Sequence, residues 1–203
     1  MCRFLAQHMD ARVKRAVFID RDGVINVNRP NNVTSWDEFI FEVGSLDALA
    51  RLSATDFYLI VVSNQSAIGR GQISQATVET IHAQMRQAIE RGGGRIDRVY
   101  YCPHAPEEKC SCRKPSPEML LRGGAELGVA LQESFFVGDW IDDVRAARNA
   151  GATPLLVRTG RGERALEEMQ KVNMPPPRVF ANLAEAVEWI LTQTSDAPEN
   201  KET

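Results

Sequence analysis

The sequence lacks a long apolar run and a strong excess of charge of either sign. Its 203 residues carry 24 lysines and arginines against 27 aspartates and glutamates, so the net charge is −3. This near balance gives no electrostatic reason to expect nucleic acid or an anionic membrane surface as a partner. No apolar run approaches the roughly 20 residues of a membrane-spanning helix. We therefore expect neither a nucleic-acid partner nor a membrane partner.

Cysteine is also scarce, and its placement argues against a secreted disulfide framework. Of four cysteines, Cys2 stands alone and the other three are crowded into eleven positions beside His104, at Cys102, Cys110 and Cys112. A secreted scaffold would spread an even set of cysteines through the chain, whereas a Cys/His cluster is typical of a metal site. The first 15 residues lack the continuous apolar core of a signal peptide. We therefore expect a cytoplasmic protein.

The chain has no internal repeat and no low-complexity block, and its length fits one domain. Apolar residues make up 43% of the sequence, which is enough for an ordinary core. We predict an N-terminal extension over residues 1–15, one domain over 16–191 and a polar, disordered tail over 192–203. We expect a monomer.

Short apolar segments alternate with segments of helical spacing along the domain. The predicted strands lie at 16–19, 57–62, 99–102, 135–137, 153–157 and 178–181. The predicted helices lie at 44–54, from 74 to the glycines at 92–94, from 116 onward, and at 142–150 and 183–191. Strands that alternate with helices favour a parallel, doubly wound α/β sheet.

Two aspartates follow the first predicted strand, at positions 20 and 22. Alternate side chains of an extended segment point the same way, so Asp20 and Asp22 can address one site. Two facing carboxylates repel unless a cation lies between them, and Mg²⁺ is commonly held by one or two carboxylates together with phosphate oxygens. Gly23 lets the backbone turn sharply. The alternative reading is an acidic turn that simply leaves the sheet.

Three further segments bring complementary groups, two at strand ends and one in a loop. Ser63 and Asn64 offer a hydroxyl and an amide suited to phosphate oxygens, and Arg113 and Lys114 offer cations for a transferring phosphoryl group. The fourth set is carboxylate and consists of Asp139, Asp142 and Asp143. Each segment alone also reads as a turn, a solvated pair or a helix N-terminus. Their joint order makes a phosphate site the better interpretation.

The Cys/His cluster has the composition of a structural zinc site. Cys102, His104, Cys110 and Cys112 provide three thiolates and one imidazole, a closed tetrahedral set without an open position for substrate. The alternative is three free cysteines and a surface histidine. Arg113 and Lys114 follow Cys112 directly, so a zinc-clamped loop would fix both cations in place.

The order of these motifs resembles the haloacid dehalogenase superfamily over residues 16–157. The stretches Asp20–Asn26, Ser63–Gly71 and Cys102–Pro115 look like the branch that holds the D-glycero-D-manno-heptose 1,7-bisphosphate phosphatases and the histidinol-phosphate phosphatases. This resemblance implies a Rossmann-like fold and a Mg²⁺-dependent phosphomonoester hydrolase that forms an aspartyl-phosphate. Only one helix, one strand and the Cys/His loop fit between Ser63 and Lys114, so we expect a minimal cap and a site roofed by residues 27–42.

The resemblance also implies a role for each residue. Asp20 would be the nucleophile and Asp22 the general acid and base. Mg²⁺ would bind Asp20, Asp139 and the backbone carbonyl of Asp22, with Asp143 orienting Lys114 or the metal shell. Ser63 and Lys114 would hold the phosphoryl oxygens, Asn64 and Arg113 would contact substrate, and Arg70 would reach a second phosphate.

The prediction of the substrate rests on residues outside the catalytic motifs. The Asn64–Ser66 segment followed by Arg70 and Gly71 favours a heptose bisphosphate, whose 7-phosphate would be removed on the route to lipopolysaccharide precursors. However, Asn31–Val33 and Trp140 depart from what the heptose enzymes usually carry. Histidinol phosphate is the alternative substrate. An inactive, zinc-stabilised binding protein is the alternative of a different class, although the intact set of Asp20, Asp22, Ser63, Lys114 and Asp139 argues against it.

Overall fold

One parallel sheet organises the part of the chain that the structure, a computed structural model, describes, residues 13–195. Its six strands have the spatial order β3-β2-β1-β4-β5-β6. They are β1 Ala16–Ile19, β2 Tyr58–Asn64, β3 Arg98–Cys102, β4 Phe135–Gly138, β5 Thr153–Val157 and β6 Arg178–Phe180. Every neighbouring pair is parallel. The predicted parallel sheet is confirmed.

Helices cover both faces of the sheet. They are α1 Ser45–Ser53, α2 Ser66–Gly69, α3 Gln75–Arg91, α4 Glu118–Leu127, α5 Ile141–Ala150, α6 Gly162–Lys171 and α7 Leu183–Ser195. On one face Val17 and Ile19 of β1 pack with α1, α3 and α7, and on the other Phe18 packs with α4 and α5. Burial on both faces explains why the strands read as continuous apolar runs rather than alternating ones.

The central strand β1 sets the position of the site. All four of its residues are completely buried, and Ile19 pairs with Val61 of β2 on one side and with Val137 of β4 on the other. The next residue, Asp20, continues this pairing because its amide donates to the Val137 carbonyl at 2.9 Å. The carboxyl ends of β1, β2 and β4 therefore meet at one edge, where open α/β sheets bind ligands.

Residues 27–42 form a loop that is closed at its base. The Val27 amide donates to the Ile40 carbonyl at 2.8 Å, and the Glu42 amide donates to the Ile25 carbonyl at 2.9 Å. The rings of Trp36, Phe39 and Phe41 pack together inside the loop, with centroids 4.9 to 6.4 Å apart. These rings belong to or pack against the main apolar core on the α1 face of the sheet, so the loop is a folded element anchored beside the sheet edge.

Three helices differ from the sequence-based expectation, and the first is the short helix α2, which was not predicted after β2. Helix α6 was not predicted, because its apolar residues are few among the charges; Ala165 and Met169 are the buried ones beside Gly162. Helix α7 continues to Ser195, so residues 192–195 are helical rather than part of a disordered tail. The rest of that tail and most of the predicted N-terminal extension lie outside the described residues. Between residues 13 and 195, no helix has both the length and the apolar character that a membrane crossing requires.

We expect β1 to contribute strongly to stability, and Phe18 tests this. Phe18 is fully buried at the centre of the sheet, so Phe18→Ala removes packed apolar volume and should lower the free energy of unfolding by about 3–5 kcal/mol. Urea unfolding followed by circular dichroism measures the change. Leu121→Ala on α4 is the control, because Leu121 is 43% exposed and its truncation should change stability by less than about 0.5 kcal/mol. Equal losses in both variants would contradict the assignment of Phe18 to the core.

Candidate active site

Lys114 is the central cation of the site. Its side chain is 2% exposed, and its Nζ lies 2.9 Å from Asp20 Oδ1 and 2.8 Å from Asp143 Oδ1. Nζ also donates to the Val62 carbonyl at 2.9 Å, so all three ammonium protons have acceptors. Burial alone would lower the pKa of Lys114, but the charges of Asp143 and Asp20 outweigh burial and raise it. Lys114 is therefore held as a cation against the predicted nucleophile.

Asn64, the last residue of β2, holds the backbone of Lys114 through two hydrogen bonds. Its Oδ1 accepts from the Lys114 amide at 3.1 Å, and its Nδ2 donates to the Lys114 carbonyl at 3.2 Å. The sequence-based role of Asn64 was substrate contact. The structure adds a positioning role, since Asn64 also lines the cavity in front of Asp20.

Asp143 joins Lys114 to the start of helix α5. Its Oδ2 accepts from the amides of Asp139 and Trp140 at 3.1 and 2.9 Å, which are donors that the first turn of a helix leaves free. The resemblance stated above assigns Asp143 the orientation of Lys114 or the metal shell and gives Asp142 no role. Asp143 is 3% exposed and pairs with Lys114, whereas Asp142 pairs with Arg145 at 3.4 Å and lines the cavity.

Asp20, Asp139 and Asp143 form a carboxylate cluster that can hold a cation. One oxygen atom of each lies within 4.8 Å of the others. Burial raises the pKa of Asp20 to about 7 and that of Asp139 to about 6, although Lys114 opposes the first shift and Arg161 the second. The raised pKa values show that the nearby cations do not fully compensate for the burial of these carboxylates. Oxygen donors in this arrangement fit Mg²⁺, with Asp143 already engaged by Lys114.

Two glycines allow the close packing around Asp139. Gly23 has φ +89°, and a Cβ atom on it would lie 2.1 Å from Asp139 Oδ2. A Cβ atom on Gly160, with φ +60°, would lie 2.2 Å from the same oxygen. Neither position can carry a side chain without displacing Asp139, so both glycines keep space for this carboxylate. Gly23 was expected to permit a turn. Its close approach to Asp139 could not be predicted, because only the fold brings the two residues together.

Asp22 has a different environment from Asp20, although only one residue separates them. Arg21 Nη2 lies 2.9 Å from its carboxylate, Asn26 Nδ2 donates to Oδ1 at 3.0 Å, and Gln65 Nε2 donates to Oδ2 at 3.0 Å. Burial would raise the pKa of Asp22, but the Arg21 guanidinium and these hydrogen bonds outweigh burial and lower it. Gln65 Nε2 also donates to Ser63 Oγ at 2.8 Å and so connects Asp22 to the predicted phosphate contact.

A polar cavity of about 140 Å³ opens in front of these groups. Its lining brings together the predicted residues Asp20, Asp22, Ser63, Asn64, Arg113, Lys114 and Asp143. It also contains Asn28 and Asn32 of the segment that was expected to roof the site, together with Ser66 and Arg161, to which the sequence analysis gave no role. Arg70, predicted to reach a second phosphate, is exposed and is not part of this lining.

Arg161 is a cation in the lining of the cavity to which the sequence analysis gave no role. Its backbone amide donates to Asp139 Oδ2 at 2.8 Å, and its Nη2 lies 3.3 Å from Asp139 Oδ1. Its guanidinium stacks over the ring of Trp140, 4.8 Å from the centroid. Arg161 lies in the segment between β5 and α6, which has no motif, so only the fold brings it to the site.

The Cys/His cluster has the geometry of a four-ligand metal site. Cys110 Sγ lies 3.4 Å from Cys102 Sγ and 3.6 Å from Cys112 Sγ. His104 Nδ1 lies 3.7 and 3.3 Å from the sulfurs of Cys102 and Cys112. Zinc–sulfur bonds of about 2.3 Å in a tetrahedron place the sulfurs about 3.8 Å apart, close to these spacings. The donor set and its separation fit Zn²⁺.

The Cys/His loop contacts the cavity through backbone hydrogen bonds. Arg113 Nη1 donates to the His104 carbonyl at 3.4 Å, and the Gln65 amide donates to the Cys102 carbonyl at 2.8 Å. The Gly69 amide of α2 donates to the Pro103 carbonyl at 2.8 Å. The loop therefore touches both a cation of the cavity and the segment that carries Gln65.

Fold and site together define a class: a hydrolase built on a parallel α/β sheet, in which a buried aspartate, a lysine and further carboxylates face a polar cavity. The family model described as HAD-hydrolase-like matches residues 111–186. A D-glycero-beta-D-manno-heptose-1,7-bisphosphate 7-phosphatase of Pseudomonas aeruginosa is 43% identical over 150 residues, which are 74% of this chain and 84% of that protein. The enzyme of that name from Escherichia coli K12 is 35% identical over 91% of this chain and 92% of its own.

The comparison with solved structures gives the same family as the comparison of sequences. The crystal structure of the D,D-heptose 1,7-bisphosphate phosphatase of Bordetella bronchiseptica, complexed with magnesium and phosphate, has a TM-score of 0.83 and 38% identity. It covers 89% of this chain and 99% of its own. This chain therefore belongs to the haloacid dehalogenase superfamily and is a phosphatase of the branch formed by these relatives.

We expect Lys114 and Asp143 to be energetically coupled. Lys114→Met leaves Asp20 and Asp143 buried without their shared counter-ion and should lower the free energy of unfolding by about 3–5 kcal/mol, whereas Asp143→Ala leaves Lys114 paired with Asp20 and should cost less. The double variant should lose less than the sum, with a coupling energy of about 1–3 kcal/mol. Urea unfolding of the four proteins measures the cycle.

Asp142→Ala provides the matched control for this cycle. Asp142 is adjacent in sequence but pairs with Arg145, so its effect should add to that of Lys114→Met within about 0.5 kcal/mol. Additive losses for Asp143→Ala and Lys114→Met would contradict a direct ion pair between the two side chains.

Proposed function

We propose that this phosphatase removes the 7-phosphate of D-glycero-D-manno-heptose 1,7-bisphosphate through an aspartyl-phosphate on Asp20. The observation that carries the proposal is the position of Asp20, whose carboxylate is paired with the buried Lys114 at 2.9 Å and faces the polar cavity. The names of the relatives supply the substrate. Such a product would be a precursor for lipopolysaccharide, and the enzyme would work in the cytoplasm as a monomer.

In the proposed reaction, an oxygen of Asp20 attacks the phosphorus atom, and the bond from phosphorus to the sugar oxygen breaks. Lys114 and Ser63 neutralise and orient the phosphoryl oxygens as charge spreads over them. Phosphate monoesters resist hydrolysis strongly, and a general acid supplies only about 10²–10⁴ of the acceleration. Most of the acceleration must therefore come from charge neutralisation and positioning.

Asp22 would move the proton in both halves of the reaction. It gives a proton to the departing sugar oxygen and then takes one from the water that attacks the phosphoryl-aspartate. Its carboxylate is about one quarter exposed and lines the same cavity as Asp20. The donors Arg21, Asn26 and Gln65 stabilise its charged form, as the second half-reaction requires of a base. For the first half-reaction Asp22 must take up a proton when the anionic phosphate binds beside it, because that negative charge raises the pKa of the carboxyl group.

Asp20, Asp139 and the backbone carbonyl of Asp22 would hold the Mg²⁺. The metal would add positive charge beside the phosphoryl oxygens, because Lys114 alone cannot offset their negative charge. The raised pKa values of Asp20 and Asp139 support this assignment, because a divalent cation relieves the excess of buried negative charge.

A second phosphate on the substrate would need a second cation. Arg113 and Arg161 line the cavity with Lys114, whereas the exposed Arg70 does not. We therefore assign the contact with the distal phosphate to Arg113 rather than to Arg70. Histidinol phosphate carries one phosphate and a cationic amine, which two arginines would disfavour. This charge pattern supports the heptose bisphosphate over the alternative substrate.

Zinc would bind Cys102, His104, Cys110 and Cys112 and serve a structural role. Four protein ligands leave no open coordination position, so we assign no chemistry to this metal. Its effect on activity would come through Arg113 and Lys114, which follow the last ligand in the chain.

Phosphate release in the presence of Mg²⁺ tests the substrate assignment. We expect a large preference in kcat/KM for heptose 1,7-bisphosphate over histidinol phosphate, with Asp20→Asn reduced to the level of the reaction without enzyme. Asp142→Asn is the control, because it changes a carboxylate of the same cavity outside the reaction and should retain most of the activity.

Each other outcome of this assay has a defined meaning. A preference for histidinol phosphate would overturn the substrate assignment but leave the roles of Asp20 and Lys114 intact. No turnover of either substrate above the Asp20→Asn blank, with Mg²⁺ present, would favour the alternative of a zinc-stabilised binding protein.

Removal of one zinc ligand tests the role of the Cys/His loop. Cys110→Ser should lower the zinc content measured by atomic absorption and reduce kcat/KM, because the loop no longer fixes Arg113 and Lys114. Ser111→Ala lies between two ligands and should keep both zinc and activity. Full activity in a zinc-free Cys110→Ser protein would show that the loop positions these cations without metal.

A further inference from the structure

Arg21 is a charged residue with no exposed surface. It lies between the two aspartates of the site, and its side chain is the largest of the fully buried ones among residues 13–195. A buried guanidinium is costly unless its donors find acceptors. Nη2 meets the Asp22 carboxylate at 2.9 Å, and Nη1 meets His82 Nε2 at 3.2 Å. Its Nε atom has no hydrogen-bond partner. The direction of the guanidinium therefore depends on Asp22 and His82.

His82 serves as an acceptor for Arg21. It lies on α3, is 5% exposed, and is far from the phosphate contacts along the chain. Burial and the nearby Arg21 charge lower the pKa of His82 to about 3, so its ring is neutral at ordinary pH. Because Arg21 can only donate, Nε2 of His82 is the unprotonated nitrogen of the ring.

Neighbours hold the His82 ring in place. The Tyr101 ring packs edge-on against it, with centroids 5.3 Å apart and an angle of 62° between the rings. The Tyr101 hydroxyl in turn donates to Glu79 Oε1 at 2.9 Å, one turn before His82 on α3. The acceptor for Arg21 is thus fixed by the β3 strand and the α3 helix.

We propose that His82 is a positioning residue for the general acid and base Asp22 and acts through Arg21. This inference rests on the proposed role of Asp22 in proton transfer. Without the acceptor on His82, Nη1 of Arg21 is a buried donor with no partner. The guanidinium then reorients, and the Asp22 carboxylate, left with Asn26 and Gln65 as its donors, shifts from its position beside the leaving oxygen. A displacement of about 1 Å can reduce a rate by 10²-fold.

The dependence of the rate on the leaving group separates this role from a general structural one. A sugar alkoxide needs a proton as it leaves, whereas p-nitrophenolate leaves without one. The parameter kcat/KM reports the steps up to departure of the leaving group, so both substrates can be compared in the same variant. Misplacing Asp22 should therefore slow the sugar ester and spare the aryl ester.

The experiment compares His82→Leu with His82→Gln on heptose 1,7-bisphosphate and p-nitrophenyl phosphate. His82→Leu removes the acceptor and should lower kcat/KM for the sugar ester by about 10- to 100-fold, with little change for the aryl ester. The Gln amide oxygen reaches the position of Nε2, so His82→Gln should restore most of the rate on the sugar ester. Equal losses on both esters, or equal losses in both variants, would overturn the proposal.

Further variants keep the test decisive. If His82→Leu does not fold, His82→Asn replaces it, because its shorter amide stops short of Nη1 and should reproduce the selective loss. Asp22→Asn is the reference and should show the same leaving-group dependence in a stronger form. If Asp22→Asn slows both esters equally, the proposed role of Asp22 fails, whereas a selective Asp22→Asn with an unaffected His82→Leu refutes only the role of His82.

If the unmodified protein does not hydrolyse the heptose bisphosphate, the substrate assignment fails on its own. The same variants are then compared on an alkyl phosphate that the unmodified protein does hydrolyse. The selective loss expected for His82→Leu remains the criterion, because it depends on the leaving group and not on the identity of the sugar.

Discussion

The buried contact of Lys114 with Asp20 and Asp143 is the constraint on which the rest of the site depends. Its three partners come from three strand ends: Asp20 after β1, the Val62 carbonyl in β2, and Asp143 beyond β4. A buried ion pair is seldom a net source of stability, since the desolvation of the charges offsets their attraction. Its value here is geometric. The ammonium group makes its three contacts only when these three segments are correctly placed, so assembly of the site depends on the fold around it.

The two aspartates that follow β1 show how one short segment provides two chemical environments. Burial, with smaller contributions from neighbouring carboxylates, raises the pKa of Asp20, whereas the Arg21 guanidinium and two amide donors outweigh burial and lower the pKa of Asp22. Opposite shifts in neighbouring groups are a common sign that the groups have different roles. The split arises from the backbone. The sharp turn after Asp20 sends the Asp22 side chain toward Asn26 and Gln65 instead of toward Asp139.

Much of the fold and the site could be predicted from the sequence, because both follow from local patterns. Buried parallel strands read as apolar runs, and the polar residues after them must share one edge of the sheet. The sequence analysis gave no role to Arg21, Gln65 or Arg161, because no local pattern marks these residues as part of a site. An arginine between two aspartates looks like a solvated charge, and its complete burial depends on His82, 61 positions away. Similarly, α6 has too few apolar residues to be visible without the face against which it packs.

The Cys/His loop explains how a site with no full cap domain can still be well ordered. Active-site loops lose conformational entropy when they are fixed, and this loop has few apolar residues with which to offset that loss. A metal held by the four Cys/His side chains, as proposed above, would supply that free energy locally, as in small zinc domains. The loop lies directly before Lys114, and the Gln65 and Gly69 amides donate to its Cys102 and Pro103 carbonyls. An ordered loop therefore helps to position two groups of the cavity, namely Lys114, which contacts Asp20, and Gln65, whose side-chain amide donates to Asp22.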